Sequence, residues 1–580
     1  AMPTQATSNQ MYERMGHFLN HRYPEQRLNY HLVHGQAAWQ DTLKEKVELQ
    51  TVGDDAHSGV LAESWFTPRK RTLLAPFGVG TVDQTFLSIL QTRHFFVRLF
   101  GLSHKVIIFD EVHAYDTFMS TLFERLLVWL HAVGSSVILL SATLPAATRR
   151  KLVKAYSGAT LTPSGQYPSL TIAAANQEAQ LIELPPPADV TVQLAWDVGR
   201  KPTDIVAYLQ QALAQGGCAA VICNTVRRAQ EIYQVLDEAR QAGTLDLPDD
   251  DLMLFHARFP PVWRKAIEER VLAKFGKPEN GQLRPTKAIV VATQVIEQSL
   301  DLDFDLMLTD LAPIDLIIQR AGRLHRHDRS AEARHGLPRQ LVIIEPAEID
   351  GDGLPTFEAD TYVYARSVLL RSFFALQAKG GTATLPADTT TLIEQVYGDL
   401  SLLQNITAAQ REAIQAAERK MEDDNRTAEQ KAAGQLILAP HNSRLLKQAV
   451  SGLDEDNPEV HHTFRAQTRD IDAGITLVCL QRSAGKHVID SPTGELVIDL
   501  TEPVPFQHVQ FIHQNSITIQ HKALFHYFIQ QAPPSAWQKQ AALRHLRVAV
   551  FEAGCCTEVP NYTLILSRTL GLEIIKQEVV

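Results

Sequence analysis

The sequence predicts an α/β protein with two parallel-sheet lobes, the first of them truncated, followed by an accessory helical linker and a small mixed C-terminal domain. Three observations predict this. The run Val106 to Asp116, VIIFDEVHAYD, is a short apolar strand that ends abruptly in two carboxylates. Apolar runs near Ala219–Cys223, Leu252–Phe255, Ala288–Val291, Leu306–Leu308 and Leu341–Ile344 alternate with helical stretches such as Val226 to Gln241. Such alternation builds parallel sheets through crossover helices. Finally, polar and charged groups follow these runs directly, at the carboxyl edge of the strands, where open α/β sheets bind ligands.

At 580 residues the chain exceeds one hydrophobic core, and three or four domains are expected. Hydrophobic residues at 45% and charged residues at 21% are those of an ordinary globular protein. A net charge of -10 argues against a polycationic coat for nucleic acid but leaves room for a local basic groove. Cys218, Cys223, Cys479, Cys555 and Cys556 have neither zinc spacing nor a disulfide framework, which suits a reducing cytoplasm. With no signal-peptide pattern and no membrane-length apolar run, a soluble cytoplasmic protein is expected, with no membrane partner.

Ala1-Met2-Pro3-Thr4 reads as the end of a strand entering a turn and a helix, Met11 to Asn20. Leu28 to His34 is a strand, Gly78 and Gly80 form a turn, and a helix starts near Val82. Val106–Phe109 and Val137–Leu140 read as buried strands. Between them Phe118, Leu122, Leu126 and Trp129 recur at helical spacing. The expected domains are 1–165 (first lobe), 166–190 (a stiff Pro-rich connector), 191–350 (second lobe), 351–455 (helical linker) and 456–580 (C-terminal domain), with a mobile polar stretch at Met421–Gln435.

Four constellations carry chemistry. Asp110 and Glu111 have the Walker-B arrangement, in which one carboxylate holds the Mg²⁺ of a nucleoside triphosphate and its neighbour orients water. Ser141-Ala142-Thr143 ends the next strand, where its hydroxyls can hydrogen-bond those carboxylates; alone it reads as a capped turn before Pro145. In ATQVIEQSLDLDFD, Thr293, Gln294, Glu297 and Asp301 leave a strand end, able to touch a nucleic-acid backbone or a ribose; the bland reading is a solvated loop. In QRAGRLHR, Arg320 and Arg323 are three apart, hence on one helix face, and a planar guanidinium suits a transferring phosphoryl group. Arginine fingers contribute roughly 10³–10⁵ in rate.

Taken in order, DEVH, SAT, TQVIEQSLDLDFD and QRAGRLHR resemble the motifs of superfamily 2 helicases. The wider wording VIIFDEVHAYD, LLSATLP and LAPIDLIIQRAGRLHRH resembles the helicase-nuclease of type I CRISPR systems, closest to subtype I-E, and PTQATSNQMYERM, VGTVDQ, CNTVRRAQ, FHARFPPVWR and FRAQTRD fit further motifs of that family. The resemblance implies two RecA-like lobes and an ATP- and Mg²⁺-dependent 3′-to-5′ translocase on single-stranded DNA, recruited by the Cascade surveillance complex. Its implied catalytic set is Asp110, Glu111, His113, Gln319, Arg320 and Arg323. Ser141 and Thr143 would couple the motifs, and Glu297 and Asp301 would meet the nucleotide. Thr4, Thr81, Gln84, Asn224, Thr225, Arg258, Thr293 and Gln294 would face DNA, with Arg69-Lys70-Arg71 and Arg227-Arg228 as candidate groove charges.

The sequence departs from that family in two respects. It contains no G-x-x-x-x-G-K-[ST] phosphate loop. The family's histidine–aspartate nuclease domain is also missing, so nuclease metals are not expected; His327-Asp328 reads as coincidence, and His31 and His34 point to opposite faces of a strand. Either the missing half is a separate polypeptide carrying the phosphate loop and nuclease domain, or the chain is a remnant that docks DNA or Cascade without hydrolysing ATP. A superfamily 2 helicase acting on RNA is a further alternative.

Overall fold

A computed structural model of the chain describes residues 1–2, 5–24, 27–33, 49–50, 59–63, 72–92, 94–162, 167–175, 177–277, 284–297, 300–440, 442, 474–540 and 542–577. They fall into two compact units. One holds Ala1–Ser164, Ser169–Ile182 and Glu422–Ala473; the other holds Gly165–Pro168, Glu183–Met421 and Gly474–Val580.

In the first unit, the strands Leu49–Gln50, Gly59–Glu63, Arg27–Val33 and Phe77–Gly80 form a parallel sheet in that order. Val106–Phe109 pairs in parallel with Ser136–Leu139. Ala1 and Met2 behave as the strand end that the sequence suggests. Met2 bridges Thr81 in parallel, and the Asp110 N–H donates to the Ala1 carbonyl at 3.1 Å. The helix Thr117–Ala132 is capped by Asp116, which accepts from the Met119 N–H at 2.8 Å. Its apolar face, with Phe118, Leu122, Phe123 and Leu126, packs with Ile107 and Phe109 into one core.

Three expectations are corrected here. The Val106–Phe109 strand is buried on one face only: Ile107 and Phe109 point inward, while Val106 and Ile108 are exposed, as are Ile138 and Leu140 beside them. Apolarity alone cannot tell a strand covered on both faces from one covered on a single face. Met421–Gln435, expected to be mobile, belongs to the helix Ala408–Gln435. Thr117 donates to Asn425 at 2.7 Å, and Ala428 and Ala432 are buried. Nor is the Pro-rich segment a bare connector, since its strands Ser169–Ile172 and Gln180–Glu183 pair with each other.

The second unit is built on a seven-stranded sheet in the order Leu252–Phe255, Lys287–Ala292, Gly217–Ile222, Leu306–Thr309, Gln340–Ile343, Val190–Ala195 and Thr382–Leu385, parallel except for the last strand. All six residues of Gly217–Ile222 are buried, as a central strand covered on both faces requires. Ala220 and Ile222 face a core shared with Leu369, Phe373 and Leu392 of the helical region. Ala219 and Val221 belong to a core that also contains Leu477, Phe551 and Leu564 of the C-terminal segment. That segment carries its own eight-stranded sheet, from Ile475–Ser483 to Gly571–Lys576. Among the described residues no helix is long and apolar enough to cross a membrane.

Candidate functional site

In the first unit, the ends of the two parallel strands bring the predicted acidic and hydroxyl residues together. Asp110 follows Phe109 directly, and one of its carboxylate oxygens accepts the Glu111 N–H at 3.0 Å. Glu111 has φ +54°, in the left-handed region, at a cost of about 1–2 kcal/mol. Strain of this kind persists where the surroundings over-determine the backbone. His113 Nδ1 lies 3.1 Å from Ser141 Oγ and 3.4 Å from Glu111 Oε2. Ser141 also donates to the Thr143 carbonyl at 3.3 Å. The hydroxyl motif therefore reaches the acidic motif through His113 and not through a carboxylate as expected. Thr143 Oγ1 is buried with no partner in the described structure. Thr81 is buried and Gln84 half-buried at the end of Phe77–Gly80; Thr4 lies outside the described residues, as do His34 and Arg69-Lys70-Arg71.

In the second unit, most predicted contact residues are engaged with protein. Asn224 is buried; its amide donates to the Leu311 carbonyl at 2.8 Å and to Asp360 at 3.0 Å. The Thr225 hydroxyl caps the helix Val226–Gln241. Gln294 donates to the Asn224 carbonyl and to the Tyr364 hydroxyl, and Thr293 is buried beside it. Arg228 is no groove charge: it forms a two-pronged pair with buried Asp310 at 2.7 and 2.9 Å, while Arg227 is exposed and pairs with Glu231. Arg200, which pairs with Asp360 at 2.7 Å, completes a network that the sequence reading missed. Asp310 ends its strand just as Asp110 ends its own, and that parallel was the available signal.

The arginine run is also rearranged relative to expectation. Its helix, Ile314–Ala321, ends before Arg323, so Arg320 and Arg323 do not share a helix face. Arg320 is wholly buried, donating to Glu297 at 2.7 Å, to Thr309 at 2.5 Å and to the Asp310 carbonyl at 3.2 Å. Glu297 is thereby committed to Arg320 and not turned to a ligand. Arg323 is buried and donates to the carbonyls of Leu300 and Glu297. Gln319 is half-buried on the same helix. Arg326, three residues on, has a side chain 47% exposed and pairs with Asp301 at 2.8 Å. It lines a recess of about 450 Å³ with His325, His327, Arg329, Arg334 and Arg339. His327 also bonds Asp301, at 3.2 Å. Among the described residues no group of three or more metal-ligating side chains is assembled.

Residues 215–329 match the sequence model described as CRISPR-associated nuclease/helicase Cas3, C-terminal, and residues 469–572 match the Cas3 C-terminal domain. The CRISPR-associated endonuclease/helicase Cas3 of Thermus thermophilus is 35% identical over 94% of this chain and 62% of its own length. The chain belongs to the Cas3 family. The Cas3 of Escherichia coli K12 is 32% identical over 87% of this chain and 54% of its own. The chain thus spans less than two thirds of these relatives. Among solved structures, one of a CRISPR-associated protein is 37% identical with a TM-score of 0.82, covering 99% of this chain and 64% of that one. T. fusca Cas3-AMPPNP is 29% identical with a TM-score of 0.81 over the same shares. A chain of a CRISPR RNA-guided surveillance complex, pre-nicking, is 26% identical with a TM-score of 0.69, covering 99% and 67%. Both RecA-like lobes and the small C-terminal domain accord with that family's structures.

Proposed function

We propose that this chain is the helicase part of a type I CRISPR effector, an ATP-dependent 3′-to-5′ translocase on single-stranded DNA that is recruited by Cascade, with subtype I-E the best match. The observation that carries the reading is the Asp110–Glu111 strand end tied through His113 to Ser141. It links the site where triphosphate chemistry would occur to the neighbouring strand end, as a motor that couples hydrolysis to movement requires. Asp110 would hold the Mg²⁺ of ATP: it is half-buried at a sheet edge, and a hard cation takes carboxylate oxygen. Bound there, the ion would neutralise phosphate charge. Glu111, with His113 beside it, would orient the attacking water. Arg326, half-exposed on its recess where Arg320 and Arg323 are buried, would be the guanidinium that meets a phosphate, and Asp301 beside it would meet the ribose. Thr81, Gln84, Arg258, Thr293 and Gln294 would line the path of DNA.

Relatives that are Cas3 helicases, one of them solved with AMPPNP and another within a surveillance complex, support this reading. The chain contains no phosphate loop of the usual form, so it should turn over little or no ATP by itself. A polypeptide segment bearing that loop, whether joined to this chain or separate from it, would complete it. The test is ATP hydrolysis with and without single-stranded DNA, for the chain alone and with such a polypeptide. Robust hydrolysis by the chain alone, or preference for RNA over DNA, would contradict the proposal.

A further inference from the structure

We propose that the ring of Tyr362 is a stacking platform for an unpaired nucleobase, set at the carboxyl edge of the second lobe's sheet. This rests on the nucleic-acid reading above and adds to it a contact with a base.

Three parallel strands end together at that edge. Ile222 pairs with Ala292 on one side and with Thr309 on the other, so Asn224, Thr293 and Asp310 leave the sheet side by side. Open α/β sheets bind ligands at such an edge. Yet the side chains that these strand ends supply are spent largely on the protein itself. Thr293 is buried, Thr225 caps its helix, and Arg258, just past the adjacent strand Leu252–Phe255, is half-buried. Asn224 reaches Asp360 at 3.0 Å, and Gln294 reaches the Asn224 carbonyl at 3.1 Å and the Tyr364 hydroxyl at 3.0 Å. Asp360 and Tyr364 belong to one short segment, which is thereby fastened over two of the strand ends.

That segment is held from several sides. Arg200 donates to Glu358 at 3.1 Å and to Asp360 at 2.7 Å, and the Asp360 carbonyl accepts the N–H groups of Val363 and Tyr364, both at 3.0 Å. Glu358 keeps φ +42°, a left-handed conformation that a residue with a side chain holds only where its surroundings impose it. Asp360 is buried, and Tyr364 packs against the core. Tyr362, between these two anchors, is 90% exposed, more than any other large apolar or aromatic side chain among the described residues. Phe506, next at 78%, opens a helix of the C-terminal segment instead. With the strand-end side chains turned inward, the ring of Tyr362 is what this edge holds out to a ligand. A tyrosine on a fixed main chain has two side-chain torsions to settle, so it loses little freedom on gaining a partner. Every base has a π-face to lay on such a ring, whatever the sequence. The carboxylates of Glu358 and Asp360 are matched by Arg200, and the exposed Arg366 opens the next helix, so negative charge near the ring is offset.

The experiment uses the 580-residue chain and its Tyr362→Ala, Tyr362→Trp and Phe506→Ala variants, with folding checked by circular dichroism. Binding of a fluorescent oligo-dT, and of an abasic strand of the same length that keeps the phosphates and lacks the bases, is measured across salt concentrations. Tyr362→Ala should weaken oligo-dT binding about tenfold. It should leave the log–log salt slope unchanged, since no phosphate contact is lost. Tyr362→Trp should bind oligo-dT at least as tightly as the wild type, and Phe506→Ala should bind it equally well. On the abasic strand the wild type and Tyr362→Ala should be indistinguishable. Four results would each overturn the proposal and leave the nucleic-acid reading standing: oligo-dT affinity unmoved by Tyr362→Ala, a loss that persists on the abasic strand, a Tyr362→Trp variant no better than Tyr362→Ala, or an equal loss in Phe506→Ala. Failure of the wild type to bind either strand would overturn both.

Discussion

Arg320 is enclosed by Glu297, Thr309 and the Asp310 carbonyl, and the Glu297 side chain facing it is only 5% exposed. Removing one partner of such a pair leaves a buried unmatched charge, which costs about 3–5 kcal/mol. Arg320→Ala should therefore lower the unfolding free energy by about that much in urea titrations, before any question of turnover arises. Arg326→Ala removes a half-exposed side chain and should change stability by less than about 0.5 kcal/mol, so that its effect is read in ATP turnover of the completed enzyme. Sequence spacing finds the arginines and cannot rank them, because three-residue spacing is silent on where the helix stops. His256 gives a pH prediction. Burial holds it at about 3, against 6.5 for a free imidazole. A base with a lowered folded pKa binds more protons when unfolded, so stability falls as pH drops from about 6.5 towards 3, by up to about 1.4 kcal/mol per pH unit from this group. Urea midpoints taken across that window should decline, and less steeply in His256→Gln.

Among the elements, the helix Val226–Gln241 was legible to the residue because its apolar period is intact and Thr225 signals its start. The same threonine was read as a DNA contact; its hydroxyl serves the helix. Thr225→Ala should cost about 1 kcal/mol in stability, measured by thermal melting. The two strands that carry Asp110 and Ser141 were legible as strands, yet their one-sided burial was not, since a run such as Val106-Ile107-Ile108-Phe109 looks the same whichever face is covered. The close approach of Gly571 to the Arg258 carbonyl could not be read at all: it joins residues more than three hundred positions apart, and a lone glycine carries no sign of what faces it. Gly571→Ala should destabilise the second unit by roughly 1–3 kcal/mol through its positive φ and its collision with the Arg258 carbonyl. Unfolding in urea, followed through tryptophan fluorescence, checks this.

Over the whole chain, the motifs in sequence order pointed to the family that the relatives establish, because each is anchored to a strand end and strand ends are set by local pattern. Less legible was how each motif divides its labour. In the second lobe, Asn224, Arg228, Asp310 and Asp360 build a buried polar network whose members come from three separate stretches. Its two carboxylates are held on several sides, Asp310 by Arg228 and the Asn224 N–H and Asp360 by Arg200 and the Asn224 amide, which fixes the edge that carries Gln294 and Thr293. The central claim is that Asp110 is the carboxylate on which ATP turnover depends. Its most direct test is DNA-stimulated ATP hydrolysis by the wild-type chain and by Asp110→Asn, each completed by a phosphate-loop polypeptide. The account predicts turnover in the first and loss of turnover in the second, with single-stranded DNA affinity unchanged. Full turnover in Asp110→Asn would contradict it.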